Sequence, residues 1–354
     1  MEFNITVLPG DGIGPEVIAQ SLRLLKVIEN KEGATFRLEQ GLIGAVAIDE
    51  TGNPLPDETI AMCKRSDAVL MGAVGHPKYD LDPKAKVRPE QGLLKIRKSL
   101  GLFANIRPIA TYELLNQASP LKNHLVKGVD FVVYRELTGG IYFGDKGRRK
   151  DGTEAYDHCD YTTEEIKRIG EMAFEAARNR RGKLTLVDKA NVLETSRLWR
   201  ETIQAMAENY PDVELDFMFV DAAAMRIIQN PASFDVVLTE NMFGDIITDE
   251  ASVITGSIGM LPSASVGAST ALFEPIHGSF PEGAGKNIAN PFATILSMGM
   301  MLGHLKMHDA ESKVKAAVNA ALAEGIVTSD INPQENYSTT EVGDWIEDYL
   351  RKNY

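Results

Sequence analysis

Short apolar runs alternate along this chain with longer stretches in which apolar residues recur at helical spacing. The runs predict strands over 5–9, 36–40, 68–73, 131–135, 184–188, 215–220 and 235–239. The periodic stretches predict helices over 14–29, 91–99, 163–179, 194–209, 291–306 and 310–323. Strands and helices in alternation mark an α/β protein whose sheets are covered by helices. Thr162 or Thr163, ahead of Glu165 and an apolar-periodic run, reads as an N-cap with acidic residues well placed against the helix dipole. One stretch breaks the pattern. "DKGRRKDGTEAYDHCDY", 145–161, is rich in charge and turn formers yet sets Tyr156 and Tyr161 among polar residues, which fits either a surface loop or a hairpin arm reaching toward a second subunit.

Composition narrows the class. A length of 354 residues suggests about two domains, and 44% hydrophobic with 25% charged residues is ordinary for a soluble globular protein. The N-terminal MEFNITVLPG has no basic flank or long apolar stretch, and no run approaches the length of a membrane span. We therefore expect a soluble, untargeted, cytoplasmic chain. Cys63 and Cys159 are isolated, without metal-ligand spacing, as in a reducing compartment. A formal charge of −13 argues against nucleic acid and anionic membranes as partners. Small anions remain open, because a local cluster of arginines can hold them inside an acidic protein.

The candidate chemistry begins at "VLPGDGIGPE", 7–16. Its glycines fall at 10, 12 and 14, whereas the dinucleotide fingerprint needs its third glycine three residues after the second, where Pro15 stands. A strand-to-helix turn with Pro15 in the first helical turn accounts for them structurally. In "RPEQGLLKIRKSLGLFANIRP", 88–108, Arg97 and Arg107 flank a short helix and its exit into a strand, and two planar guanidinium forks near one site suit a dicarboxylate. Leu93 and Leu94 set an apolar face one turn before Arg97. "FVVYRELTGGIYFG", 131–144, puts Arg135 at the end of a buried strand and Tyr142 past a Gly–Gly turn, and strand ends are where α/β sheets bind ligands.

"LTLVDKANVLE", 184–194, ends a strand with Asp188 and Lys189; a lysine near other cations or away from water can act as a general base. "TENMFGDIITDEAS", 239–252, carries Asp245 and Asp249 at i, i+4, one face of a helix. Unrelieved, such a pair repels by roughly 0.2–0.5 kcal/mol, so positive charge is expected beside it and neutralising one member is expected to relieve strain. Oxygen-only ligands suit Mg²⁺ or Mn²⁺, with Asp221, ending the run "FMFVD", as a third. "FEPIHGSFPEGAGKNIANP", 273–291, is a Gly- and Pro-punctuated loop able to approach a phosphate or ribose closely.

Taken in order, these segments resemble the β-decarboxylating isocitrate/isopropylmalate dehydrogenase family over nearly the whole chain. The resemblance implies a bilobal α/β fold without a Rossmann fingerprint. Its discontinuous first domain, 1–102 with 256–354, would bind the cofactor; the second, 103–255, would carry the dimer interface and an arm at about 143–162. It implies NAD as cofactor, with Ile13, Glu274, His277, Gly278, Ser279, Phe280, Glu282 and Asn290 at the adenosine end. A carboxylate at Glu282 accepts from a ribose diol and repels a 2′-phosphate. The family usually shows Ala and Asp where this chain has Phe280 and Glu282, and a bulkier residue at Gly283. Arg97, Arg107 and Arg135 would clamp a substituted malate, and Mg²⁺ or Mn²⁺ would sit on Asp245, Asp249 and the partner subunit's Asp221, which also meets substrate. The partner subunit's Lys189 would accept the hydroxyl proton, directly or through water and Asp221, and Tyr142 would protonate the carbon left by CO₂. Leu93, Leu94 and Val192 would wall an isopropyl group, so the implied reaction is oxidation and decarboxylation of 3-isopropylmalate by a homodimer with shared sites. Siblings acting on tartrate, malate or homoisocitrate, and an inactive nucleotide-binding protein on this fold, are the alternatives.

Overall fold

The structure, a computed structural model, describes residues 1–81, 85–334 and 336–354. From the N-terminus the elements are β1 (Glu2–Gly10), α1 (Gly14–Glu32), β2 (Thr35–Gln40), α2 (Ala45–Thr51), α3 (Asp57–Arg65), β3 (Ala68–Ala73), α4 (Pro77–Asp80) and α5 (Pro89–Ser99). Next come β4 (Ala104–Ala110), α6 (Asn123–Val126), β5 (Asp130–Glu136), β6 (Lys146–Arg149), β7 (Glu154–Asp157) and α7 (Thr163–Arg178). They are followed by β8 (Lys183–Asp188), α8 (Glu194–Ala207), β9 (Glu214–Phe219), α9 (Val220–Gln229), β10 (Val236–Thr239) and α10 (Asn241–Ser252). The last are β11 (Pro262–Val266), β12 (Ala271–Pro275), α11 (Phe292–His304), α12 (His308–Ala323) and α13 (Thr339–Asn353). The chain divides into two units, Met1–Leu102 with Ser257–Tyr354, and Phe103–Gly256.

In the first unit the strands lie in the order β2-β1-β3-β12-β11, parallel except for β11 against β12. Every residue of β3 is buried, which is why its sequence AVLMGA is apolar throughout rather than alternating. α11 is buried along most of its length and is correspondingly apolar on all faces. Leu8, Val69, Met71 and Leu272 of the sheet meet Ile96 of α5 and Cys63 of α3 in one core cluster. Burial there pushes the Cys63 thiol up to about 12, so it stays protonated.

The opening glycine loop has a structural task. Gly10 and Gly12 adopt left-handed φ values of +71° and +58°, and a Cβ on Gly12 would stand 2.0 Å from the Ser279 carbonyl oxygen. Between them Asp11 turns its carboxylate inward to accept from the backbone N–H groups of Ala45 (2.8 Å), Val46 (2.9 Å) and Gly75 (2.9 Å). Ile13 N donates to Ser279 O at 2.8 Å. The loop thus ties α1, α2 and the end of β3 to the late loop around Ser279.

In the second unit the order is β4-β5-β10-β8-β9, with β4 antiparallel to β5 and the others parallel. Phe174 of α7, Trp199 and Ile203 of α8 and Leu184, Leu186 and Leu238 of the sheet form its core. Thr162 caps α7 in a capping box with Glu165. The stretch at 145–161 contains a hairpin, β6 with β7, Gly147 facing Tyr156. One of the boundaries that differ from the sequence reading bears on the site: β9 ends at Phe219, and Asp221 lies in the first turn of α9. The run FMFV continues into the apolar face of a helix, and a short apolar run alone does not show where strand becomes helix. Among the described residues no helix is long and apolar enough to cross a membrane.

Candidate active site

The carboxyl ends of β5, β8 and β10 and the segments that follow them carry most of the second unit's candidate side chains, where a parallel sheet leaves backbone and following turns free to meet ligands. Arg135 stands near the end of β5, with a side chain only 6% exposed. Its guanidinium pairs with Asp245 and donates to Asn241 Oδ1 from Nε (3.1 Å) and Nη2 (2.9 Å). Tyr142 donates its hydroxyl to the other oxygen of Asp245 at 2.9 Å. Partial burial, and then this bond to a carboxylate, push the phenol above its ordinary value, so it holds its proton at neutral pH. Arg107 on β4 donates to Asp249 Oδ1 (3.1 Å), Thr248 Oγ1 (2.7 Å) and Asn105 Oδ1 (2.8 Å). The i, i+4 carboxylates of α10 therefore each have an arginine, and these are two of the arginines expected to hold substrate.

Glu240 orders this cluster from below. It caps α10 by accepting from Phe243 N at 2.8 Å, and the Tyr161 hydroxyl donates to it at 3.1 Å while accepting from Asn241 N at 3.0 Å. Burial raises the Glu240 carboxyl. Neither residue carried a sequence signal of this role, because the link between them spans 79 positions.

Lys189, just past β8, pairs through Nζ with Asp221 of α9. The hydrogen bond from Lys189 is the main cause that holds the Asp221 carboxyl below its ordinary range. Val192, two turns short of α8's core, is exposed. Among the described residues no three His, Cys, Asp or Glu side chains gather as a metal site, so Asp221 does not join Asp245 and Asp249 within one chain. The chemistry of the two α10 carboxylates suits a hard divalent cation, which takes one or two carboxylates and fills its other positions with water or substrate oxygens.

In the first unit α5 presents Leu94, 51% exposed, while Leu93 packs partly against the core. Arg97 pairs with Glu274 of β12 at 2.9 Å, and its buried Nε has no partner. Glu274 is thereby placed with Arg97 rather than among the pocket residues of this unit. That pocket, about 440 Å³, is lined by Ile13, His277, Gly278, Phe280 and Asn290, five residues that the resemblance groups at the adenosine end, together with Ile258, Gly259, Ile288, Ala289, Ser329 and Asp330, which it does not. Ser279 and Glu282 are outside the lining: Ser279 is buried against Ile13, and Glu282 is exposed in the turn Pro281–Gly283. Burial lowers the proton affinity of His277, whose Nδ1 meets Gly278 O at 2.9 Å and whose buried Nε2 has no partner. Ligand pockets run to roughly 300–1,000 Å³ with mainly apolar walls and a few polar groups. This one fits the flat base of a dinucleotide, and the unpartnered imidazole nitrogen is the kind of group a bound molecule satisfies.

Known proteins resemble the chain over nearly its whole length. The family model described as isocitrate/isopropylmalate dehydrogenase matches residues 4–346. A 3-isopropylmalate dehydrogenase of Bacteroides fragilis (strain YCH46) is 54% identical over 99% of this chain and 100% of its own length. One from Bacillus subtilis (strain 168) is 53% identical over 96% of this chain and 95% of its own. Among solved structures, isocitrate dehydrogenase from Methylococcus capsulatus has a TM-score of 0.86 at 33% identity, covering 99% of both chains. A β-decarboxylating dehydrogenase from Thermococcus kodakarensis, in its apo form, has a TM-score of 0.83 at 36% identity, covering 99% of this chain and 96% of its own.

Proposed function

The chain belongs to the isocitrate/isopropylmalate dehydrogenase family, and from that premise we infer that it oxidises and decarboxylates 3-isopropylmalate to 4-methyl-2-oxopentanoate in leucine biosynthesis, with NAD and Mg²⁺ or Mn²⁺. The observation that carries the substrate is the identity of 53–54% over nearly the full length with relatives named for it, against 33% with the isocitrate dehydrogenase structure. α5 supplies a chemical reason. Leu94 offers solvent an apolar face one turn before Arg97, and a further substrate carboxylate set against it would be desolvated without a partner, at a cost of several kcal/mol.

The residues divide the work by their chemistry. Arg97, Arg107 and Arg135 take the two carboxylates of the malate as planar forks. Tyr142, held protonated, delivers a proton to the carbon that CO₂ leaves. Lys189, as the neutral amine, takes the hydroxyl proton, directly or through water and Asp221, to which its Nζ is paired. When bound, NAD supplies the hydride acceptor, and a divalent cation on Asp245 and Asp249 supplies the Lewis-acid charge that eases loss of CO₂. Asp221 does not gather with Asp245 and Asp249 within one chain among the described residues, and the reading that brings Lys189 and Asp221 to the same substrate is a homodimer in which the partner subunit's Lys189 and the partner subunit's Asp221 serve the site. We place the enzyme in the cytoplasm, in keeping with two free cysteines and a biosynthetic role.

The test is NADH formation with 3-isopropylmalate, isocitrate, malate, tartrate and homoisocitrate in parallel. 3-Isopropylmalate should exceed isocitrate in kcat/KM by about 100-fold or more. Comparable turnover of isocitrate would overturn the substrate.

A further inference from the structure

Phe280 has two features that packing alone does not require. Its backbone sits at φ +39°, ψ +64°, in the left-handed region that disfavours a bulky aromatic residue. Its side chain, instead of completing a core, is 47% exposed. The conformation is held from both sides. Before it, Ser279 O accepts from Ile13 N at 2.8 Å; after it, Gly283 N donates back to Phe280 O at 2.9 Å. Space for the ring comes from Gly283, where a Cβ would stand 2.3 Å from Phe280 Cε1 and 2.5 Å from Cδ1.

The ring borders the first unit's pocket with Ile13, His277, Ile288 and Asn290. The acidic residue of the lining, Asp330, is already bonded to Ser257 (2.7 Å), Asn290 (3.1 Å) and Thr328 (2.5 Å). The lining therefore holds no lysine, tyrosine or free carboxylate suited to moving a substrate proton, and it fits the non-reacting end of a dinucleotide. Resting on the NAD use inferred above, we propose that Phe280 is the stacking platform for the adenine of NAD and that Gly283 is the seat that keeps its ring in place. Strain at Phe280 persists because the ring is needed where a relaxed backbone would not put it.

Calorimetric titration with NAD⁺, ADP-ribose and nicotinamide mononucleotide tests this apart from turnover. Phe280→Ala should weaken NAD⁺ and ADP-ribose by roughly 5- to 100-fold, the range of losing one base–aromatic stack, and leave nicotinamide mononucleotide unchanged. Phe280→Tyr should bind as wild type. Phe280→Gly should lose the same affinity while its Tm holds or rises, since glycine relieves the left-handed backbone; a purely structural ring would lower Tm instead. Gly283→Ala should weaken ADP-ribose in the wild-type background and add nothing to Phe280→Ala. Wild-type affinity for ADP-ribose in Phe280→Ala, or equal losses for ADP-ribose and nicotinamide mononucleotide, would overturn the platform while leaving NAD use intact. A wild-type protein that binds neither NAD⁺ nor ADP-ribose would overturn both.

Discussion

In the second unit Arg107, Arg135, Lys189, Asp221, Asp245 and Asp249 are all paired with one another, whereas the first unit's pocket is walled by Ile13, Phe280 and Ile288 and keeps a buried imidazole nitrogen without a partner. The pocket is ready for an apolar guest and gains by covering exposed carbon. The charged cluster can accept a ligand only by exchange. Arg107 and Arg135 turn to a dicarboxylate at no net loss of charge only if Asp249 and Asp245 find positive charge elsewhere. Two carboxylates against two arginines, and a divalent cation against two aspartates, leave every charge matched. Either ligand alone leaves two unpaired. On the function proposed above, the difference teaches that binding in this cluster would be an exchange of partners, favoured when acid and cation arrive together, while the pocket would bind by shape and burial.

Asp245→Asn attacks that exchange most directly. Turnover of 3-isopropylmalate should fall by about 100-fold or more, at least ~2.7 kcal/mol of transition-state stabilisation. The same change should lower Tm, because Arg135 is almost fully buried and loses its anion, a loss on the order of 1.5–3 kcal/mol. The i, i+4 spacing alone pointed to relief on neutralisation; the two arginines have already removed that repulsion and reverse the sign. Asp249→Asn should cost far less stability, since its carboxylate is 72% exposed. Full activity in Asp245→Asn would show that the charges of α10 serve packing alone.

Exchange between subunits gives the next largest effect. Tyr142→Phe and Lys189→Met, each made as a nearly inactive protein, are unfolded and refolded together in equal amounts. If Lys189 acts in the neighbouring site and Tyr142 in its own, a mixed dimer gathers both lesions into one site and leaves the other whole, so random pairing restores about a quarter of wild-type sites. No recovery, with exchange verified by tagged subunits, would confine the chemistry to one chain.

Much of this was legible in the sequence where local pattern and chemistry coincide. Arg135 and Lys189 were singled out because an apolar run ends in a charge, and Asp245 with Asp249 because residues four apart on a helix share a face. The pairing of Arg97 with Glu274 was not, since 177 positions separate them and neither segment carries a signal of the other. Strands β11 and β12 went unread for a related reason: PSASV and ALFEP are short and built of small residues, and become strands by pairing with each other and with β3. The hairpin within 145–161 was one of two open readings, because Tyr156 in alternation with charged residues is compatible with a loop until Gly147 is seen opposite it. Ser329 and Asp330 line the pocket from a turn after α12 that no motif marks.

The smallest expected effect separates the two regions by pH. Burial lowers the proton affinity of His277 below the ordinary imidazole value of 6.5, so the folded pocket resists a proton that the unfolded chain accepts. The stability this contributes is fully present above pH 6.5 and is lost as pH falls from there toward the lower folded value. Carboxylates held below their ordinary values, such as those of Glu29 and Glu347, also lose stability on acidification, but only from about pH 4 downward, so melts above about pH 5 read the imidazoles apart from them. His304, lowered mainly by burial, adds to the imidazole window with the same sign and remains as an internal control. Thermal melts from about pH 8 to about pH 5 should therefore show a shallower acid slope for His277→Asn than for wild type, a change of only a few degrees in Tm. The slope should become shallower still when His304→Asn is added, leaving the opposite-signed contribution of carboxyls that burial raises, such as Glu240. An unchanged slope in His277→Asn would mean that water reaches the imidazole freely, and the contrast between a dry pocket and an internally paired charge cluster would fail on the pocket's side.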